Sequence, residues 1–369
     1  MSQIDALRQD VLRQWDRLRP SGRACHGDAG APGSRVQIME ICGTHTVALS
    51  RGGLRDLLPP ELRLVSGPGC PVCVTDQSYM DQTVHLARHH PEVVIATYGD
   101  MIRVPGRLGS LEEARSAGAD VRIVYAAHEA VEMAKHEPGR QVVFLGVGFE
   151  TTTPATALAV LAARDAGLKN FSALTAHKLV LPAMMALLAT GEVQVEGFMC
   201  PGHVSVMIGY RAYEPVVAQY GRPCVVCGFE EEQILLGIAE ILRQLVEGKP
   251  AACTVYAPVT AGGNATAQEI IARTFRVTEA RWRALGTIPA SGLALREELA
   301  EFDAARRFAL PEFESYEMLG CRCGLVICGK CLPTDCPLFG TACTPRSPIG
   351  PCMVSSEGSC AAYYKYHRH

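Results

Sequence analysis

The sequence predicts an α/β protein made of two Rossmann-like units on parallel sheets, followed by a small cysteine-rich region that needs a metal staple. Three observations lead there. Short apolar, β-branched runs alternate with amphipathic helical patterns, as βαβ units require. Unusual Gly, Cys and His residues cluster just after several of those runs, where open α/β sheets place their ligands. Eight of the 16 cysteines fall between Cys321 and Cys360, in a stretch dense in Gly and Pro.

At the start, Ile4, Leu7, Val11, Trp15 and Leu18 recur every three or four residues, which predicts one amphipathic helix docked on the body. "SGRACHGDAGAPGS" then reads as a linker, closing a segment 1–33. The strand-like runs are "RVQIME", "LRLVSG", "EVVIATYGD", "VRIVYAA", "QVVFLGVG", "FSALTAHK", "VEGFMC" and "PCVVCGFE". Helical patterns between them include "DQSYMDQTVHLARHH", "TPATALAVLAARDAG", "LVLPAMMALLATGE" and "EEQILLGIAEILRQLVEG". A break at "HEPGR" divides this run into units 34–138 and 139–262, leaving 263–369 as a C-terminal region with the cysteine-rich part at 310–369. That last part has too little apolar residue to bury a core alone, hence the expected metal.

The chain has 369 residues, enough for more than one domain and a sizeable core. Its 35 basic and 38 acidic residues give a formal charge of −3, and no basic block offers a track for nucleic acid or an anionic membrane. No run of about eighteen apolar residues suggests a membrane span, and the N-terminus lacks a signal-peptide core. The expectation is a cytoplasmic protein. In that compartment thiols stay reduced, so 16 cysteines point to metal binding or thiol redox chemistry.

"CGTHT" follows the first strand. Cys42 there would sit at a helix N-terminus, where the dipole, and His45 if protonated, would favour its thiolate as a metal ligand or nucleophile. The bland alternative is a small buried hydrophobe. Cys70 and Cys73 in "GPGCPVC" form a Cys-x-x-Cys able to close to a disulfide or to bind metal. "GFETTTP" supplies Glu150, Thr151 and Thr152, which alone would read as a helix start with Pro154 in the first turn. His203 in "CPGHVS" alone reads as a capping or core histidine. Cys224 and Cys227 read as core cysteines, and Cys25 and Cys253 receive no role. Toward the C-terminus, Cys321, Cys323, Cys328 and Cys331 would make a small zinc site. Cys321, Cys336, Cys343 and Cys360, spaced C-x14-C-x6-C-x16-C, suit an iron–sulfur cluster better, and spacing alone does not choose.

Taken together, "CGTHT", "GPGCPVC", "GFETT", "PGHVS" and the terminal cysteine pattern ending "CMVSSEGSCAAYYKY" resemble, in that order and over almost the whole chain from residue 34, the HypD family of [NiFe]-hydrogenase maturation factors. The resemblance implies two α/β domains plus an iron–sulfur domain, and a scaffold on which the Fe(CN)2CO group is assembled. It implies a complex with the chaperone HypC, cyano groups from HypE, and transient contact with the hydrogenase large subunit through HypC. By motif, Cys42 would be the main iron ligand with His45 beside it. Cys70 and Cys73 would be a redox pair near the iron, or ligands to it. Cys321, Cys336, Cys343 and Cys360 would hold a [4Fe–4S] cluster. Cys323 and Cys352 would form a redox disulfide, and Glu150, Thr151, Thr152 and His203 would line the cleft.

Asp76, Val47 and Cys200 depart from the family pattern, and Cys224, Cys227, Cys328 and Cys331 are additional thiols. The competing reading is an iron–sulfur-dependent thiol–disulfide oxidoreductase working through Cys70 and Cys73. A zinc-stapled structural protein is the third.

Overall fold

The computed structural model describes residues 3–18 and 35–367, so Cys25 and the linker expected at 21–34 lie outside the described residues. The N-terminal helix Gln3–Leu18 forms as its apolar spacing predicts, burying Val11, Trp15 and Leu18 against the long helix Glu231–Glu247. That second helix stops at Gly248, whose φ of 65° is the left-handed conformation glycine adopts at little cost.

Two parallel sheets carry the body. The first has the order β2-β1-β7-β8-β9, with β1 Val36–Glu40, β2 Leu62–Ser66, β7 Gly197–Pro201, β8 Cys224–Cys227 and β9 Ala252–Thr254. The second has the order β4-β3-β5-β6, with β3 Val93–Thr97, β4 Asp120–Ile123, β5 Gln141–Gly148 and β6 Phe171–His177. β1, β3, β5 and β7 sit inside their sheets and are almost wholly buried, which is why they read as apolar runs rather than alternating patterns. The helices Gln77–His89, Thr153–Asp165 and Val180–Ala189 lie where the amphipathic segments were expected.

The sheets correct the expected division at residue 138. β1 and β2 pair with strands from residue 197 onward, while β3 and β4 join β5 and β6. The boundary at "HEPGR" therefore falls inside the second sheet. The chain leaves the first sheet after β2, completes the second, and returns through the helix Val180–Ala189. A break in composition marks a turn; it does not say which strands pair across it.

Past β9 an antiparallel hairpin, β10 Phe275–Trp282 and β11 Gly286–Leu295, was not anticipated from the sequence. The cysteine-rich segment follows with the short helices Cys323–Ile327, Pro351–Val354 and Ser359–Tyr366. It has no core of its own. Cys323, Cys328, Cys343, Cys352 and Cys360 share one apolar cluster with Cys70, Cys73, Val147, Phe149 and Trp282.

Trp282 joins these parts. Its indole N–H donates to Ser291 Oγ at 2.8 Å, its ring meets Phe149 from the second sheet, and its backbone bridges to Thr75 beside the Cys70–Cys73 turn. Trp282→Ala should lower stability by about 3–5 kcal/mol, the usual range for emptying a buried aromatic site, read as a lower midpoint in chemical denaturation.

Candidate functional site

Cys42 lies two residues past the end of β1 in extended geometry (φ −161°, ψ 123°) and is the N-cap of the helix Gly43–Arg51. Gly43 donates its N–H to Gly69 O at 3.2 Å, which lays the GPGC turn directly on the start of that helix. The turn continues as the four-residue helix Pro71–Val74, in which Cys70 and Cys73 are joined as a disulfide with a Cα–Cα distance of 5.2 Å.

The electrostatics at Cys42 differ from the expectation of a favoured thiolate. Burial pushes its thiol up to about 12, and the Glu357 carboxylate adds to the rise. The N–H of His45, with the hydroxyl and N–H of Thr44, pulls in the other direction and does not win. His45 is no cation either. Its imidazole is fully buried, its pKa falls to about 4 through desolvation, and Nε2 donates to Gly228 O at 2.9 Å. That donation leaves the neutral Nδ1, which has no hydrogen-bond partner among the described residues, as a lone-pair donor. An unliganded Cys42 is thus a thiol beside a neutral imidazole, and a metal that displaces the proton would change this balance.

The other strand-end loops gather round. Phe229 stacks with both His45 and the exposed His203, with ring centroids 4.9 and 4.3 Å away, so "CGTHT" and "PGHVS" meet across one aromatic ring. Glu40, two residues before Cys42, accepts through one oxygen from Thr46, Ser66 and Arg55, and burial raises its pKa to about 7. Glu150 sits past the end of β5 and accepts from the Val180 N–H at 3.0 Å. Its other oxygen is buried with no hydrogen-bond partner among the described residues, and desolvation lifts the pKa of Glu150 to about 7. Thr152 is the N-cap of the following helix but makes no side-chain cap; its hydroxyl turns back to Phe149 O, and Thr151 is half-buried.

In the cysteine-rich segment, Cys321, Cys336, Cys343 and Cys360 lie close enough to act on one another, and burial raises Cys321 to about 12. Cys323 and Cys352 stand as free thiols in mutual contact, and Cys352 Sγ donates to Cys360 Sγ at 3.0 Å. Cys328 lies near Lys330, Cys323, Glu192 and Glu317, whereas Cys331 neighbours Asp335, Arg322 and Cys336. Among the described residues, no three His, Cys, Asp or Glu side chains close on one point tightly enough for a single metal ion. Cys224 and Cys227 are fully buried, as core cysteines should be, and Cys200 lies beside Cys224.

Two residues escaped the reading of the sequence. Glu357 accepts from the Thr44 hydroxyl at 2.6 Å and brings the C-terminal segment to Cys42. Arg283 donates to Cys73 O at 2.9 Å and Thr75 O at 2.7 Å, and its buried guanidinium also acts on Cys323 and Cys352. The acidic residue in "CMVSSEGSC" was the available signal for the first. No local pattern marks the second, which lies on the unanticipated hairpin.

Glu150 makes pH a probe of this cleft. Its folded pKa is raised above the model-peptide value near 4.5, so its protonated form stabilises the fold below that value and the contribution is lost as pH rises through about 7. Glu150→Gln should flatten that loss, gaining stability over the parent at pH 8 and little at pH 4, as measured by denaturation at both pH values.

No helix among the described residues is long and apolar enough to cross a membrane. The HypD family model, described as the hydrogenase formation hypA family, matches residues 25–367. A hydrogenase maturation factor HypD of Azotobacter vinelandii is 48% identical over 346 residues, covering 91% of both chains. Its namesake in Cupriavidus necator is 43% identical over 355 residues, covering 94% of this chain and 93% of its own. That of Rhodobacter capsulatus is 44% identical over 337 residues, covering 90% and 89%. With the GPGC turn lying on the start of the Cys42 helix, "CGTHT" and "PGHVS" meeting across Phe229, and a match running through both sheets and the cysteine-rich end, the chain belongs to the HypD family of hydrogenase maturation factors.

Proposed function

We propose that this maturation factor is the scaffold on which an iron atom receives its CO and cyanide ligands before delivery to a [NiFe] hydrogenase. Iron is here the cargo, gripped by the Cys42 thiolate. The observation that carries the reading is the placement of Cys42 at a strand end between the Cys70–Cys73 turn, the neutral His45 and Glu357. A polarizable thiolate suits low-valent iron bearing such ligands. Displacement of the Cys42 proton by the metal resolves the thiol's raised pKa. Glu150, Thr151, Thr152 and His203 form the polar wall of the cleft, and Glu150, poised near neutrality, can hold or release a proton there.

A HypC-type chaperone would share the iron and carry it to the hydrogenase large subunit, and a HypE-type donor would supply cyanide. Both partners come from the family resemblance.

The thiols of Cys321, Cys336, Cys343 and Cys360 fit a [4Fe–4S] cluster better than a single ion. Cys336 and Cys343 lie near Cys321, and Cys321 and Cys343 near Cys360, so the four thiols share one neighbourhood, and a four-iron core takes one thiolate at each corner. The cluster, when bound, supplies electrons one at a time. Cys323 and Cys352 lie between that set and Arg283, which reaches the Cys70–Cys73 turn, so this chain's own residues supply a thiol path toward Cys42. The same path is what favours the second reading, a thiol–disulfide oxidoreductase, which would not need Cys42.

Infrared spectra of the anaerobically purified protein, co-expressed with its HypC-type partner, should show metal-bound CO and cyanide stretches that vanish in Cys42→Ala. Full hydrogenase maturation by Cys42→Ala would overturn the scaffold reading and leave the oxidoreductase. For the cluster, single Ala variants of Cys321, Cys336, Cys343 or Cys360 should lose most of about four irons per chain, with the acid-labile sulfide, while Cys328→Ala and Cys331→Ala keep them. The reverse pattern would move the ligand set.

A further inference from the structure

The loop between Cys352 and Cys360 reaches Cys42 through Glu357, and something must hold it there. The turn is tight: a Cβ on Gly43 would meet Glu357 Cβ at 2.5 Å and Glu357 O at 2.8 Å, so the loop backbone lies on the helix start itself. Among the described residues, Thr44 ties the Glu357 carboxylate from the Cys42 side.

From the opposite side comes Asp100, just past β3 in the second sheet. Its Oδ2 accepts three hydrogen bonds, from Ser355 Oγ at 3.0 Å, Ser356 N–H at 2.9 Å and Ser356 Oγ at 3.0 Å. Ser355 Oγ in turn accepts from the Glu357 N–H at 3.2 Å. Among the described residues Asp100 pairs with no cation, so its hydrogen bonds are spent on this turn. A continuous line of polar contacts runs from Asp100 through Ser355 and Glu357 to Thr44 and the Cys42 thiol.

We propose that Asp100 is a positioning residue that holds Glu357 against Cys42 by pinning the Ser355–Ser356 turn. The second sheet thereby sets the charge beside a thiol that belongs to the first. Without Asp100 the turn loses three charge-assisted bonds, and the Glu357 carboxylate is held by the Thr44 contact while its loop is no longer pinned from the second sheet. The inference deepens the scaffold reading, because it concerns the thiol proposed to bind iron.

Its test needs neither iron nor partner. In the full-length protein, alkylation of Cys42 by anionic iodoacetate and by neutral iodoacetamide is followed by mass spectrometry of the Cys42 peptide. A carboxylate held beside the thiol repels only the anion. Glu357→Gln should therefore raise the iodoacetate-to-iodoacetamide rate ratio several-fold, through loss of one unit charge beside the thiol. Asp100→Ala should shift the ratio the same way and add nothing further in the Glu357→Gln background, as coupled residues do. Ser355→Ala, a smaller change, should move it in the same direction and serves if Asp100→Ala folds poorly. A parental ratio in Asp100→Ala or in Glu357→Gln, or an Asp100→Ala effect undiminished in the double variant, would overturn the proposal. Hydrogenase maturation retained by Cys42→Ala would instead remove the scaffold reading while leaving the alkylation result standing.

Discussion

The close approach of three loops at the start of one short helix is the constraint from which the rest of the site follows. Gly43 and Gly69 have no side chain, so the GPGC turn and the Glu357 loop can both lie against the backbone around Cys42. With a Cβ at either position one of these loops would have to move away, and Cys42 would lose either the Cys70–Cys73 turn or the Glu357 carboxylate as its neighbour. The small residues in "CGTHT" and "GPGC" are thus geometric requirements of a crowded strand end, as well as helix-start chemistry.

Crowding also sets the electrostatics. Close packing excludes water from Cys42, His45, Glu40 and Glu150, and desolvation is the largest influence on each. All four are driven toward their neutral forms: a thiol, an imidazole and two carboxyl groups whose pKa values rise to about 7. A helix N-terminus ordinarily favours a thiolate, but here its few N–H groups cannot outweigh burial beside a carboxylate.

The cysteine-rich segment depends on the same packing. It has too little apolar surface to fold around itself, and it buries its thiols against the Cys70–Cys73 turn and the β10–β11 hairpin instead. Contacts that hold it there include Thr44 to Glu357, Ser355 and Ser356 to Asp100, Arg103 to Pro345 O and the Lys330–Glu192 ion pair. The cysteine-rich end is thereby built into the cleft, with Cys323 and Cys352 facing Arg283 and Glu357 facing Cys42.

The sequence by itself determined the α/β class, most strand positions and the motif-bearing loops after β1, β2, β5 and β7, because burial pattern and turn chemistry are local properties. It also marked Cys42, His45 and the Cys-x-x-Cys pair, whose spacing is short. Only the tertiary structure decided which strands share a sheet: β1 and β3 are similar apolar runs, and pairing partners that lie far along the chain, Gly197 for Ile38 and Gln141 for Val93, leave no mark in either. Nor could local pattern place Arg283, Glu357 and Asp100 around the thiols, since each acts across more than a hundred residues of chain. The charge state of Cys42 was decided at that level as well, because desolvation depends on everything that packs against a group, and sequence neighbours are only a small part of it.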